Sequence, residues 1–129
     1  MTIQRVFVAG AGLMGHGIAQ VHAAIGLDVA LYEPDLGRAE AGRDRIAGNL
    51  DRAMAKGKLT AEARDATLTR IVPSADIAAA GDADLVIEAV FEEMGVKESV
   101  FRKLDSVMKP GAILASNTST LDLDKIAGF

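Results

Sequence analysis

Gly10, Gly12 and Gly15 stand at the spacing G-x-G-x-x-G, and the chemistry this spacing serves is phosphate binding. Gly10 lets the backbone turn tightly out of the apolar run before it. Gly12 leaves room for a pyrophosphate to approach with no Cβ in the way, and Gly15 lets a helix pack close to a strand. Gly17 is read as removing one more side chain from that contact. The free N–H groups of the following helix's first turn and the positive end of its dipole face the phosphates, and Leu13 and Met14 within the turn motif are counted with the cofactor-binding residues. Glu33 follows about 20 residues beyond the turn, where an acidic side chain meets the adenosine ribose. Its carboxylate can accept hydrogen bonds from both ribose hydroxyls and repels a 2′-phosphate, which favours NAD over NADP. Arg38 is the nearby residue able to accommodate a 2′-phosphate instead. Capping the next helix is the other use open to Glu33, although Asp35 can do that as well.

Glycine-rich turns are common, so the elements around this one decide its meaning. Ile3 to Val8 reads as a buried strand, and Ile18 to Ile25 as a helix stopped by Gly26. Leu27 to Tyr32 reads as a second strand. A long polar helix from about Leu36 to Lys56 carries a narrow apolar stripe, Ile46, Leu50, Ala53 and Met54. Its basic residues are expected on a solvated face. Gly57 stops it, and Thr60 caps another helix through about Leu68. Ile71-Val72-Pro73 is a short edge strand, because proline cannot donate to a ladder. A brief helix near Asp76 to Ala80 precedes a strand over Ala83 to Val90. In the helix that follows, Val96, Val100, Phe101, Leu104, Val107 and Met108 share one face, with Lys97, Glu98, Arg102 and Lys103 on the other. Ala112 to Ala115 reads as a further buried strand, leading into Ser116-Asn117-Thr118-Ser119-Thr120. The alternation predicts an α/β fold: a Rossmann-type, doubly wound parallel sheet with helices on both faces. Ligands of such sheets bind outside the carboxyl ends of the strands, at the switch point. The glycine turn, Glu92 and the Asn117–Ser119 segment all fall there.

The 129 residues are enough for one domain with its own core, at half hydrophobic and a quarter charged. The absence of cysteine excludes a disulfide framework, a thiolate nucleophile and a zinc–thiolate site, and suits a reducing, cytoplasmic setting. No metal site is expected. A strand beginning almost at Met1 leaves no room for a targeting peptide, and no apolar run reaches the roughly 20 residues of a membrane span. A net charge of −4 gives no support to nucleic-acid binding.

Three stretches together resemble the 3-hydroxyacyl-CoA dehydrogenases, with the bacterial 3-hydroxybutyryl-CoA dehydrogenases nearest. They are Gly10-Ala-Gly-Leu-Met-Gly-His-Gly-Ile-Ala-Gln20, Val86-Ile-Glu-Ala-Val-Phe-Glu92 with Lys97, and Ala115-Ser-Asn-Thr-Ser-Thr-Leu121. The resemblance covers the whole chain and implies an amino-terminal NAD-binding domain, whose family partner is a helical carboxyl-terminal domain with substrate contacts and a dimer interface. By position, Gly10, Gly12 and Gly15 would cradle the pyrophosphate and Glu33 would hold the adenosine ribose. Glu92, Lys97 and Asn117 would lie on the nicotinamide side, and Asn117 and Ser119 beside the reacting C3 oxygen. Asn49 and Lys56 match positions that touch coenzyme A in relatives.

Plainer roles remain open for some of these. Glu88 inside its strand could be a buried structural carboxylate, the Ser116–Thr118 hydroxyls and amide could serve the turn, and Lys97 could pair with Glu93. The family's general base is a histidine in a Gly-x-His-Phe-Phe-Asn-Pro type segment, which these 129 residues do not contain; His16 and His22 both lie on the first helix. The expectation is therefore a cofactor domain that binds NADH, turns over acyl-CoA negligibly by itself, and exposes surface that invites self-association. A non-catalytic NAD-binding module and the cofactor domain of another β-hydroxyacid dehydrogenase are the alternatives.

Overall fold

The computed structural model describes residues 3–89 and 94–116. Its strands are β1 (Arg5–Ala9), β2 (Asp28–Tyr32), β3 (Ile71–Ser74), β4 (Leu85–Glu88) and β5 (Ile113–Ser116). They form one wholly parallel sheet in the order β3-β2-β1-β4-β5. The helices are α1 (Leu13–Ala24), α2 (Leu36–Ala55), α3 (Ala61–Thr69) and α4 (Met94–Val107), with a 3₁₀ turn over Ile77–Asp82. Strand order reverses between β1 and β4, which defines the switch point.

Both faces of the sheet are covered, so the strands are apolar on both sides. Val6, Val8, Val29, Leu31 and Ile71 pack under α1, α2 and α3 with Ala19, Ala23, Ile46, Leu50 and Leu68. Phe7, Ala9, Tyr32 and Val86 face the other way, onto Ala80, Ala83 and Leu104 of the 3₁₀ turn and α4. The small residues Ala19 and Ala23, both wholly buried, let α1 lie close to the sheet. Local chemistry sets the helix starts as expected: Asp35 accepts from the Gly37 N–H at the head of α2, and Thr60 from the Ala63 N–H at the head of α3. Gly57 follows α2 at φ +72°, the left-handed conformation that ends helices.

Three expectations need correction. Ala112 to Ala115 was expected as a buried strand, but β5 is the sheet's edge among the described residues, with Ile113 46% and Leu114 38% exposed. The α2 basic residues are not all solvated: Arg43 reaches under α3 and donates to the Ile71 and Leu68 carbonyls. Gly17 does not ease the packing of α1, since a Cβ there would meet nothing within 4 Å. Gly15, Ala19 and Ala23 lie on the sheet side at four-residue spacing, and Gly17 is turned away from them.

Candidate functional site: the carboxyl end of the sheet

The end of β1, the end of β2 and the start of α1 converge over the switch point. The Gly10 N–H donates to the Tyr32 carbonyl, and the Ala89 N–H to the Ala9 carbonyl, which locks the turn between β2 and β4. Gly10 sits at φ +114°, where an L side chain is strained. Gly15 admits no side chain at all, because its Cβ would lie 1.7 Å from the Gly10 carbonyl oxygen. Gly12 differs: its φ of −71° suits any residue, and a Cβ there would meet nothing within 4 Å. Among the described residues, then, no packing requires a glycine at position 12.

Gly12 is also the N-cap of α1, with no side-chain cap bond and no acidic residue in the first turn. No side chain among the described residues therefore caps the opening N–H groups of this 12-residue helix. His16 braces this end, its main-chain N–H and its Nδ1 both lying within hydrogen-bond reach of the Gly12 carbonyl, at 3.0 and 2.8 Å. His22 makes the equivalent Nδ1 contact to the Ile18 carbonyl at 2.7 Å. Both imidazoles are thereby tied to α1.

Glu33 stands at the end of β2, half-buried, and its Oε2 accepts from the Ala11 N–H at 2.6 Å. It does not cap α2, because Asp35 does. Tyr32 stacks on Phe7 with ring centroids 5.4 Å apart. Burial first, then the negative charges of Glu33 and Asp76, push the Tyr32 phenol above its ordinary range. Glu88 ends β4 wholly buried, opposite Ala9 and Ser116 in register.

The site residues read from the sequence divide into four groups. Gly10, Gly12, Gly15 and Glu33 come together around the turn, with the backbones of Leu13 and Met14 forming the first turn of α1. Asn49 and Lys56 lie elsewhere on α2. The Asn49 amide donates to Gln20 Oε1 and its oxygen accepts from Arg52. Lys56 is exposed at the α2 C-cap, roughly 21 Å along the helix from Gly42 at 1.5 Å per residue. Lys97 belongs to α4, described there by its backbone. Glu92, Asn117 and Ser119 lie outside the described residues. Sequence reasoning missed Gly42, whose Cβ would fall 2.8 Å from Ala11 Cβ and 2.9 Å from its carbonyl oxygen. A lone glycine inside a helical pattern was the available signal. A groove of about 230 Å³ lined by Arg5, Phe7, Ala30, Arg70 and Val72 lies toward the amino ends of the strands, away from this site.

A 3-2-1-4-5 parallel sheet with a glycine turn and an uncapped helix at its switch point defines a dinucleotide-binding domain. The chain belongs to the family described as 3-hydroxyacyl-CoA dehydrogenase, NAD binding domain, which it matches over residues 5–128. It is 46% identical over 126 residues to a 3-hydroxybutyryl-CoA dehydrogenase of Mycobacterium tuberculosis, covering 97% of this chain and 44% of that protein. Among solved structures, M. tuberculosis FadB2 is similar at TM-score 0.96 and 45% identity, over 99% of this chain and 45% of that one. The Escherichia coli 3-hydroxybutyryl-CoA dehydrogenase is similar at TM-score 0.95 and 41% identity, over 98% and 27%. The chain thus spans less than half the length of these relatives. NAD is the family's cofactor, and the residues present fit it: a glycine at the helix start with open space over it, an α1 without a side-chain cap and the Glu33 carboxylate beside the turn. Among the described residues no helix is long and apolar enough to cross a membrane.

Proposed function

We propose that this chain is the cofactor-holding part of an oxidoreductase of fatty acid metabolism. The enzyme would move a hydride between NAD(H) and C3 of a short-chain 3-hydroxyacyl-CoA such as 3-hydroxybutyryl-CoA. The observation that carries the reading is the clear space over Gly12, bounded by an uncapped helix start and the Glu33 carboxylate. The names of the relatives supply the substrate class.

In this reading Gly10, Gly12 and Gly15 shape the pyrophosphate cradle, and the N–H groups of Leu13 and Met14 bind it. Glu33 takes the adenosine ribose hydroxyls, and its negative charge disfavours a 2′-phosphate. NAD, when bound, supplies the hydride-accepting carbon. Glu92, Lys97 and Asn117 are assigned to the nicotinamide side and Asn117 with Ser119 to the substrate oxygen, on family resemblance. Lys56 and Asn49 are assigned to coenzyme A. Asn49 already donates to Gln20 and accepts from Arg52, so such a contact would use its second N–H or second lone pair. A cytoplasmic setting suits a chain without cysteine.

On family resemblance, general-base work on the hydroxyl is assigned to a histidine other than His16 and His22, which both lie on α1. The 129 residues should therefore bind NADH yet oxidise it negligibly with acetoacetyl-CoA. Titration of NADH fluorescence beside a 340-nm absorbance assay tests both halves. No binding refutes the cofactor assignment, and enzyme-like turnover refutes the assignment of the base.

A further inference from the structure

Ala11 is held from two sides. Its N–H donates to Glu33 Oε2 at 2.6 Å. Its Cβ and carbonyl oxygen lie against the α2 backbone at Gly42, so close that a Cβ there would reach within 2.8 Å of Ala11 Cβ and 2.9 Å of its carbonyl oxygen. Ala11 is only 4% exposed, so water has little access to its N–H. A buried donor stripped of its acceptor is costly, and the backbone shifts to avoid that state. The residue between Gly10 and Gly12 thus takes its position from a carboxylate on β2 and a glycine on α2.

We propose that Glu33 is a positioning residue for the phosphate-binding turn, acting through the Ala11 N–H with the Gly42 backbone as a stop behind it. This role is additional to the ribose contact of the preceding section, and it rests on the assignment of the turn to the phosphates. The two roles make opposite demands on a phosphate ligand. As a negative charge near the turn, Glu33 repels phosphate, so removing it should tighten anion binding. As the acceptor that holds Ala11, its removal should loosen the turn and weaken binding. The geometry favours the second effect. The carboxylate spends one oxygen on a short, charge-assisted bond to the turn's own N–H, and the contact with Gly42 blocks relaxation toward α2.

The test is calorimetric titration of the chain and its Glu33→Ala and Glu33→Gln variants with two ligands. ADP carries the ribose hydroxyls; 2′,3′-dideoxyadenosine diphosphate carries the same phosphates without them. Glu33→Ala is expected to bind the dideoxy ligand about tenfold more weakly than wild type, the loss of one hydrogen bond to a charged group. Glu33→Gln, whose amide oxygen still accepts from Ala11 and which no longer repels phosphate, should bind that ligand at least as tightly as wild type, and ADP should lose more than the dideoxy ligand in Glu33→Ala. Unchanged or tighter dideoxy binding by Glu33→Ala overturns the positioning role, and a loss confined to ADP then leaves the ribose contact standing. Equal losses for both ligands overturn the ribose contact and leave the positioning role intact.

Amide NMR gives a readout that general destabilisation does not move. The Ala11 resonance should shift upfield in Glu33→Ala and not in Glu33→Gln, while Gln4 and Arg5 stay in place. Should Glu33→Ala not fold, Gly42→Ala presses on Ala11 without touching the carboxylate. It should weaken dideoxy binding as well, and unchanged binding there contradicts the proposal.

Discussion

Two carboxylates accept backbone N–H groups at opposite ends of the same sheet, and they are finished to different degrees. At the amino end Asp84 accepts from the Gln4 and Arg5 N–H groups at 2.9 and 3.0 Å and from Lys109 Nζ at 2.5 Å. It joins the approach to β1, the start of β4 and the link from α4 to β5 entirely with protein donors. At the carboxyl end Glu33 accepts one N–H, from Ala11, beside a helix start without a side-chain cap and a glycine with clear space over it. The first arrangement is closed and serves the fold. The second, in the proposed reading, is completed by a ligand.

Substitutions at the two ends should separate these purposes. The largest effect is expected from Gly15→Ala, because its Cβ cannot coexist with the Gly10 oxygen 1.7 Å away. It should cost about 3 kcal/mol in urea unfolding and remove measurable NADH binding. Gly12→Ala should sharpen the contrast, since its backbone already suits alanine and its Cβ meets no protein atom. Its unfolding midpoint should fall only slightly, because alanine is a poorer N-cap than glycine, while NADH affinity falls by about tenfold or more. Equal affinity in Gly12→Ala would mean that no ligand occupies that space.

Asp84→Asn should do the reverse, lowering the unfolding midpoint without changing NADH affinity. The Lys109 hydrogen bond first, then those from Gln4 and Arg5, hold the Asp84 carboxyl well below its usual range. Its contribution is therefore fully present above the ordinary carboxylate range and is lost as pH falls below it toward the depressed value. Chemical unfolding at pH 7 and at stepped acid pH should show the gap between Asp84→Asn and wild type narrowing only below that range. The smallest effect belongs to Gly17→Ala, which adds a methyl in open space on a helix. It should stabilise by about 0.5–1 kcal/mol in thermal or urea unfolding and leave NADH binding alone.

What the sequence displayed was local. The glycine spacing after an apolar run, the acid at the end of the next strand, and Asp35 and Thr60 ahead of helical patterns are short-range signals with short-range causes. The hidden part is tertiary. Gly42 matters only because α2 crosses Ala11, and Asp84 because Lys109 comes back to it from 25 positions away. Nothing in an acid near the start of a strand announces such a partner. The apolar run Ala112 to Ala115 showed a wish for burial but not the neighbour that would provide it, so Ile113 and Leu114 stand exposed on β5. Gly17 failed for a related reason: its spacing from Gly15 suggested shared duty, while helical periodicity turned it away.

The most direct test of the two-ended account is the amide correlation spectrum of the labelled chain, titrated with NADH. The account expects shifts concentrated at Gly10 to Gly15 and Glu33, with Gln4, Arg5, Asp84 and Lys109 unmoved. Shifts centred on the Asp84 end, or on the groove bounded by Arg5 and Arg70, would contradict it.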